Sequence, residues 1–280
     1  MATLLTTPQE LIVDIEGDEP PVLLDIRYEL NGPSGSIDYA AGHIPGAHWI
    51  DLDRALAGEP GAAGRHPLPD PAVLGAALRR AGVTADRPVV VYDGGNGMGA
   101  ARAWWTLRYF GHPDVRVLDG GYAAWTAQDL PGSTEPAEPE DGDFEPRPGG
   151  MPLLDADAAV ELAHTGLLFD ARAAERYRGE VEPIDKVAGH IPGARSLPTA
   201  GNMAADGRFR PVPELVERFA AAGAEAGTQT PVGVYCGSGV SAAQQVIALA
   251  LADIPAALYV GSWSEWSSDP ARKVATGPTP

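Results

Sequence analysis

Ala41-Gly42-His43-Ile44-Pro45-Gly46-Ala47 returns unchanged as Ala188-Gly189-His190-Ile191-Pro192-Gly193-Ala194, 147 residues further along the chain. Other landmarks recur in the same order around the two copies. Leu24-Asp25-Ile26-Arg27 matches Phe169-Asp170-Ala171-Arg172, Tyr92-Asp93 matches Tyr235-Cys236, and Gly121-Tyr122-Ala123-Ala124-Trp125 matches the stretch from Gly261 to Trp266. Solenoid repeats have periods of roughly 20–50 residues, so a period this long is a duplication of whole domains. The chain has 280 residues, and at roughly 150 residues per domain that length also asks for two. We expect one domain over residues 1–130 and a second over 151–280. Residues 131–150 carry five prolines and six acidic side chains, Glu140 among them, and read as an exposed, stiffened linker. Asp155-Ala156-Asp157 then opens the first helix of the second copy.

Within each copy, short apolar runs alternate with helical stretches. The second predicts strands at Leu167-Leu168-Phe169, Val232 to Tyr235 and Ala257 to Val260, and helices at Val216 to Ala222 and Ala242 to Ala252. The first predicts strands at Val22 to Leu24, Val89 to Tyr92 and Val115 to Leu118, with helices at Ala72 to Ala81 and Ala100 to Phe110. Continuously apolar strands alternating with helices indicate an α/β fold, each domain a mainly parallel sheet flanked by helices. Ligands in such folds sit beyond the carboxyl ends of the strands.

Twenty basic residues stand against 38 acidic ones, a net charge of −18. That surface repels polyanions, which argues against nucleic acid or an anionic membrane as partner. No apolar run approaches the roughly 18 residues of a membrane span, and no secretory signal is evident, so we expect a cytoplasmic protein. Cys236 is the one cysteine; an intrachain disulfide and a cysteine-rich zinc site are both ruled out. The six histidines show no paired ligand spacing, so no metal and no other cofactor is implied.

Cys236 follows an apolar strand and precedes Gly237-Ser238-Gly239-Val240-Ser241, after which an alanine-rich helix begins. Glycines in such a turn let several amide N–H groups converge, and the start of the helix adds positive potential. An anion at that centre is stabilised, and a cysteine sulfur placed there becomes a thiolate nucleophile. Simple packing of a buried cysteine is the competing reading. A phosphate loop of the Walker type would need a lysine that Gly237 to Ser241 lacks. A cysteine phosphatase would need an arginine where Ala242 stands.

The duplicated GHIPGA segment, the strand ending in Cys236, the loop Cys236-Gly237-Ser238-Gly239-Val240-Ser241-Ala242 and the closing Gly261 to Trp266 together resemble the tandem-rhodanese sulfurtransferases. The resemblance implies two rhodanese-like domains, the second catalytic, and a sulfane sulfur carried as a persulfide on Cys236. A loop reading CGSGV resembles members that prefer 3-mercaptopyruvate, whereas thiosulfate-preferring members carry basic residues in its second and third places. By the resemblance Ser238 hydrogen-bonds the donor or assists its proton transfer, Gly237, Gly239, Val240 and Ser241 line its site, and Arg178 holds its carboxylate. A second family arginine normally follows a Glu-Pro pair; here Glu182-Pro183 is followed by Ile184, and Arg172 or Lys186 could substitute. His43 is a candidate proton relay, while His190 reads as a brace for its turn.

In the first copy Asp93 stands where the thiol would be, and a carboxylate cannot pass on sulfur, so that copy is expected to be silent. The partners implied are a small anionic sulfur donor and an acceptor, either a thiol such as a thioredoxin or cyanide. The resemblance leaves open thiosulfate as donor and, from a different class, a non-catalytic sulfur-carrier or interaction module. With no second cysteine to resolve a persulfide, the sulfur must leave to an outside acceptor.

Overall fold

The computed structural model describes residues 3–139 and 141–280, and the chain divides into two compact units. The first takes the described part of Met1–Gly58, together with Leu68–Met151 and Ala205–Phe209; the second takes Glu59–Pro67, Pro152–Ala204 and Arg210–Pro280. A short piece of each half of the sequence thus belongs to the other half's unit, which boundaries at 130 and 151 do not anticipate. The expected linker is also more than a tether. Gly142, Phe144, Arg147 and Gly150 donate backbone hydrogen bonds to Arg79, Val83, Phe110 and Tyr109 of the first unit, and the Phe144 ring is buried. Its charged side chains are mostly exposed, as expected; Glu140 lies outside the described residues.

In the first unit the elements run β1 (Leu5–Thr6), α1 (Pro8–Ile15), β2 (Val22–Asp25), α2 (Gly35–Ala41), β3 (His48–Trp49), α3 (Pro71–Arg80), β4 (Val89–Tyr92), α4 (Met98–Tyr109), β5 (Val115–Leu118) and α5 (Gly121–Thr126). Five parallel strands stand in the order β1-β5-β4-β2-β3. Every residue of β2 and β4 is buried, as parallel strands under helices require. The second unit repeats the plan with β6 (Leu153–Leu154), α6 (Ala156–Thr165), β7 (Leu167–Asp170), α7 (Ala174–Tyr177), β8 (Arg195–Ser196), α8 (Val212–Ala221), β9 (Val232–Tyr235), α9 (Val240–Leu251), β10 (Ala256–Tyr259) and α10 (Ser262–Trp266). Its strand order is β6-β10-β9-β7-β8. Asp155 caps α6, its carboxylate accepting from the Ala158 amide. The central strands and main helices fall where the sequence puts them; the two-residue strands are too short to carry a pattern. No helix among the described residues is long and apolar enough to cross a membrane.

The repeated heptapeptide is explained by its partners. In each copy an arginine two residues beyond the aspartate that ends β2 or β7 forks onto that carboxylate, with Nη2 to Oδ2 distances of 2.6 Å for both Arg27–Asp25 and Arg172–Asp170. The same Nη2 donates to the carbonyl of Gly42 in one copy and Gly189 in the other. A tyrosine hydroxyl at the end of the neighbouring strand, Tyr92 or Tyr235, accepts from the amide of Ile44 or Ile191. His43 stacks on Tyr39 and His190 on Tyr177, at ring separations of 3.8 and 3.7 Å. Glycine and proline set the path, and buried polar groups clamp it to the sheet.

His112, buried beneath Phe144, accepts from the Asp114 amide at Nδ1 and meets the Thr84 carbonyl with Nε2. That pairing suits a neutral imidazole, and burial above all holds its pKa below the ordinary 6.5. The folded chain therefore binds this proton less readily than the unfolded one. The stability linked to His112 is complete above about pH 6.5 and is lost as the pH falls below it. We expect the urea midpoint to drop between pH 7.5 and 5.5, and to drop less in His112→Asn; equal slopes in the two proteins would refute the assignment.

Candidate active site

Cys236 is the first residue beyond β9, and Gly239 turns the chain into α9 with φ of 77°. The side chain is buried, and the Gly239 amide donates to its sulfur at 3.1 Å. The start of α10 holds the loop from behind. Trp263 and Ser264 donate their amides to the carbonyls of Cys236 and Gly237 at 3.0 and 2.9 Å. Ser262 accepts from the Cys236 amide at 3.1 Å and donates its hydroxyl to the Tyr259 carbonyl at 2.8 Å. To do so Ser262 adopts φ of 55°, a left-handed conformation that costs a serine about 1–3 kcal/mol. In the first copy the corresponding residue is Gly121, at φ of 57° without that cost. The strain is confined to the copy that bears the thiol.

The first-copy loop reveals what this backbone holds. Asp93 Oδ1 accepts from the amides of Gly95 and Gly97, and Oδ2 from that of Ala100, at 2.9 to 3.2 Å. The loop is an anion cradle occupied by the protein's own carboxyl. Burial raises the pKa of Asp93 while the three amides pull it down, with a net upward shift. Tyr122 and Ala123 brace it by donating to the carbonyls of Asp93 and Gly94, as Trp263 and Ser264 do in the second copy.

Ser238, buried beside the thiol, is met at its Oγ by His66 Nδ1, 2.8 Å away. His66 arrives on the segment Glu59–Pro67 of the second unit. That segment makes a tight turn in which Gly61 and Gly64 exchange hydrogen bonds. Gly64 has φ of 100° and passes so close to α10 that a methyl on it would lie 2.7 Å from the Gly261 carbonyl. Arg65, next in the chain, donates its amide to Ser264 Oγ and forks onto Asp185 through Nη1 at 2.9 Å and Nη2 at 3.4 Å. Arg176 of α7 reaches Glu182 at 2.6 Å and Asp185 at 3.4 Å. Burial pushes the Glu182 carboxyl up, but Arg176 and the amides of Asp185 and Ile184 outweigh it and hold the group below the usual range. Both guanidiniums face the loop. A methyl on Gly237 would stand 3.4 Å from Arg65 Nη2 and 3.6 Å from Arg176 Nη1.

Of the residues proposed from sequence, Cys236, Gly237, Ser238, Gly239 and Val240 come together in one buried loop, with Ser241 half-buried in the first turn of α9. Arg178 does not join them. It caps the end of α7, and its guanidinium forks onto the exposed Glu180; Arg176, two residues earlier, is the arginine on the loop side. Arg172 is also unsuited to a substrate, because Asp170, Glu182 and the Gly189 carbonyl take its guanidinium in the interior. Lys186 is exposed. His43 belongs to the first unit and is fully buried, with Nδ1 against the Tyr39 carbonyl and Nε2 against that of Glu135. Both nitrogens are thus committed to backbone, so His43 braces its turn as His190 does, and the proton-relay expectation passes to His66. Neither His66 nor Arg65 was singled out by the sequence. The available signal was a glycine-rich turn, Gly61 to Gly64, followed by Arg-His-Pro where no element is predicted.

Ser262→Ala removes both hydroxyl bonds yet keeps the strained backbone, so we expect a loss of about 2 kcal/mol by chemical denaturation. Ser262→Gly relieves the backbone and should cost distinctly less. A Gly variant as destabilised as the Ala variant would show that strain is not part of the balance.

The sequence matches the Rhodanese-like domain family over residues 7–128 and again over 155–269. It is 48% identical to a Pseudomonas aeruginosa protein provisionally named 3-mercaptopyruvate sulfurtransferase, over 98% of each chain. It is 45% identical to a Mycobacterium tuberculosis protein provisionally named thiosulfate sulfurtransferase SseB, over 98% of this chain and 97% of that one. Among solved structures it is similar to SseA of Escherichia coli, described as a 3-mercaptopyruvate sulfotransferase, with a TM-score of 0.82 and 34% identity over 94% of this chain and all of that one.

Proposed function

The chain belongs to the rhodanese-like sulfurtransferases, and from that premise we propose that it takes sulfur from 3-mercaptopyruvate onto Cys236 and passes it to an outside thiol. The observation that carries this reading is a single thiol set in an anion cradle beside a Ser238–His66 pair. The thiolate attacks the donor sulfur; the sulfur–carbon bond breaks, and its electron pair leaves with the carbon as the enolate of pyruvate. Cys236 is left as a persulfide. The proton carried in on the donor sulfur passes through Ser238, with His66 behind it, to the enolate carbon, so pyruvate departs neutral at that carbon. An acceptor thiol then takes the outer sulfur and the Cys236 thiolate returns, a ping-pong cycle.

Asp93 supports the persulfide step. A carboxyl extends one atom beyond its first atom past Cβ, as a persulfide does. With the left-handed Gly97 and Gly239 aligned at the starts of α4 and α9, the amides matching those of Gly97 and Ala100 are those of Gly239, which already donates to the Cys236 sulfur, and Ala242. A sulfane sulfur on Cys236 would reach the place that the Asp93 oxygens occupy in their own loop. The silent role we give the first unit follows from the same residue. Acceptors of this kind, a thioredoxin or a small thiol, belong to the reducing cytoplasm, and cyanide serves as the acceptor in an assay. A second reading keeps the chemistry with thiosulfate as donor; the likeness to SseB favours it, while the uncharged Gly237-Ser238 pair favours 3-mercaptopyruvate.

Incubation with 3-mercaptopyruvate should add the mass of one sulfur atom to the protein but not to Cys236→Ser. Sulfur transfer persisting in that variant would overturn the mechanism, and a higher kcat/KM for thiosulfate would reassign the donor. Ser238→Ala and His66→Gln should each lower kcat with 3-mercaptopyruvate by about 100-fold, as loss of a positioned proton-transfer group does. The double variant should be little worse than either single one, because the two act as a unit. Multiplicative losses would separate them.

A further inference from the structure

We propose that Arg65 is a donor-binding residue, and that the segment Glu59–Pro67 supplies the cation missing at Ile184. The inference rests on the reading that Cys236 meets a small anionic donor, and it names who holds the anion. Three observations carry it. Arg65 Nη2 and Arg176 Nη1 both lie over the bare face of Gly237, the residue next to the thiol. A side chain there would fill the space between them. Arg65 Nε is buried and has no hydrogen-bond partner among the described residues, although such a group ordinarily finds one. Its backbone is held by the Ser264 hydroxyl and by the close passage of Gly64.

Two guanidiniums do not share one face without a counter-charge, and here Asp185 is shared between them, at 2.9 Å on Arg65 and 3.4 Å on Arg176. Its 3.4 Å contacts are long for charge-assisted bonds. We therefore read Asp185 as the resident carboxylate that keeps the two arginines together and yields part of its hold when the carboxylate of an α-keto acid arrives. Ile184, 37% exposed, offers no charge to that role.

The experiment uses the full chain and two readouts. Alkylation of Cys236 by iodoacetate and by iodoacetamide, followed by mass spectrometry, reports the potential at the sulfur whatever the natural donor is. Arg65→Gln should lower the iodoacetate-to-iodoacetamide rate ratio at least fivefold, Arg65→Lys should keep it within twofold, and Asp185→Asn should raise it. With 3-mercaptopyruvate, Arg65→Gln should raise KM about tenfold with kcat within threefold, and the lysine variant should recover only part of that KM because it lacks the fork. A ratio and a KM both within twofold of the unaltered protein in Arg65→Gln would overturn the proposal, as would a loss confined to kcat, which would make Arg65 a mere support for His66. Failure of the unaltered protein to form a persulfide with either donor would instead sink the proposed function, and the alkylation ratio would still decide Arg65.

Discussion

Asp170 anchors the second unit. It is the last residue of a fully buried strand, and its carboxylate is taken by the Nε–Nη2 edge of the Arg172 guanidinium. A buried ion pair is not in itself a large source of stability, but removing one partner leaves a stranded charge at a cost of about 3–5 kcal/mol. Arg172 spends its remaining donors on Gly189 and Glu182; Glu182 holds Arg176, and Asp185 joins Arg176 to Arg65. The result is a row of alternating charges that begins inside the sheet and ends over the loop of Cys236. Each guanidinium is held by a carboxylate, so the cations nearest the thiol are in place before an anion approaches, the condition under which fixed charge is most effective.

The same fork exists in the first unit, where Arg27 holds Asp25 and the Gly42 carbonyl. There the row stops. The loop that would face it contains Asp93 in place of a thiol, with its carboxylate already in the amide cradle. Duplication preserved the scaffold in both copies, and the two loops diverged into one that is filled by its own carboxyl and one that carries the thiol. The left-handed serine behind the second loop belongs to this divergence, since a strained residue persists where the neighbouring chemistry uses it.

Much of this was legible in the sequence because it is periodic or local. The duplication, the central strands and the thiol at a strand-to-helix turn are all written within a few consecutive residues. What was not legible depends on where the chain returns. His66 and Arg65 lie some 170 residues from the loop they serve and carry no periodic signal. Arg176 and Arg178 differ by two residues, about 200° around a helix, and a linear comparison cannot say which faces inward. His43 looked chemical in sequence because histidine often is, but its two nitrogens are spent on carbonyls. Ile184, read as a missing cation, is followed by Asp185, which pairs with an arginine brought in from elsewhere.

The membership of Glu59–Pro67 in the second unit bears on how the two copies have come to depend on each other. A tandem duplication starts as two self-sufficient modules, each able to be lost, shuffled or expressed alone. Here the unit that holds Cys236 includes a stretch encoded in the upstream half, and Ala205–Phe209 crosses the other way. A gene fragment beginning at Pro152 would carry the cysteine without His66 and Arg65. Modularity has been traded for completeness, and selection on the downstream half now also constrains nine residues of the upstream one.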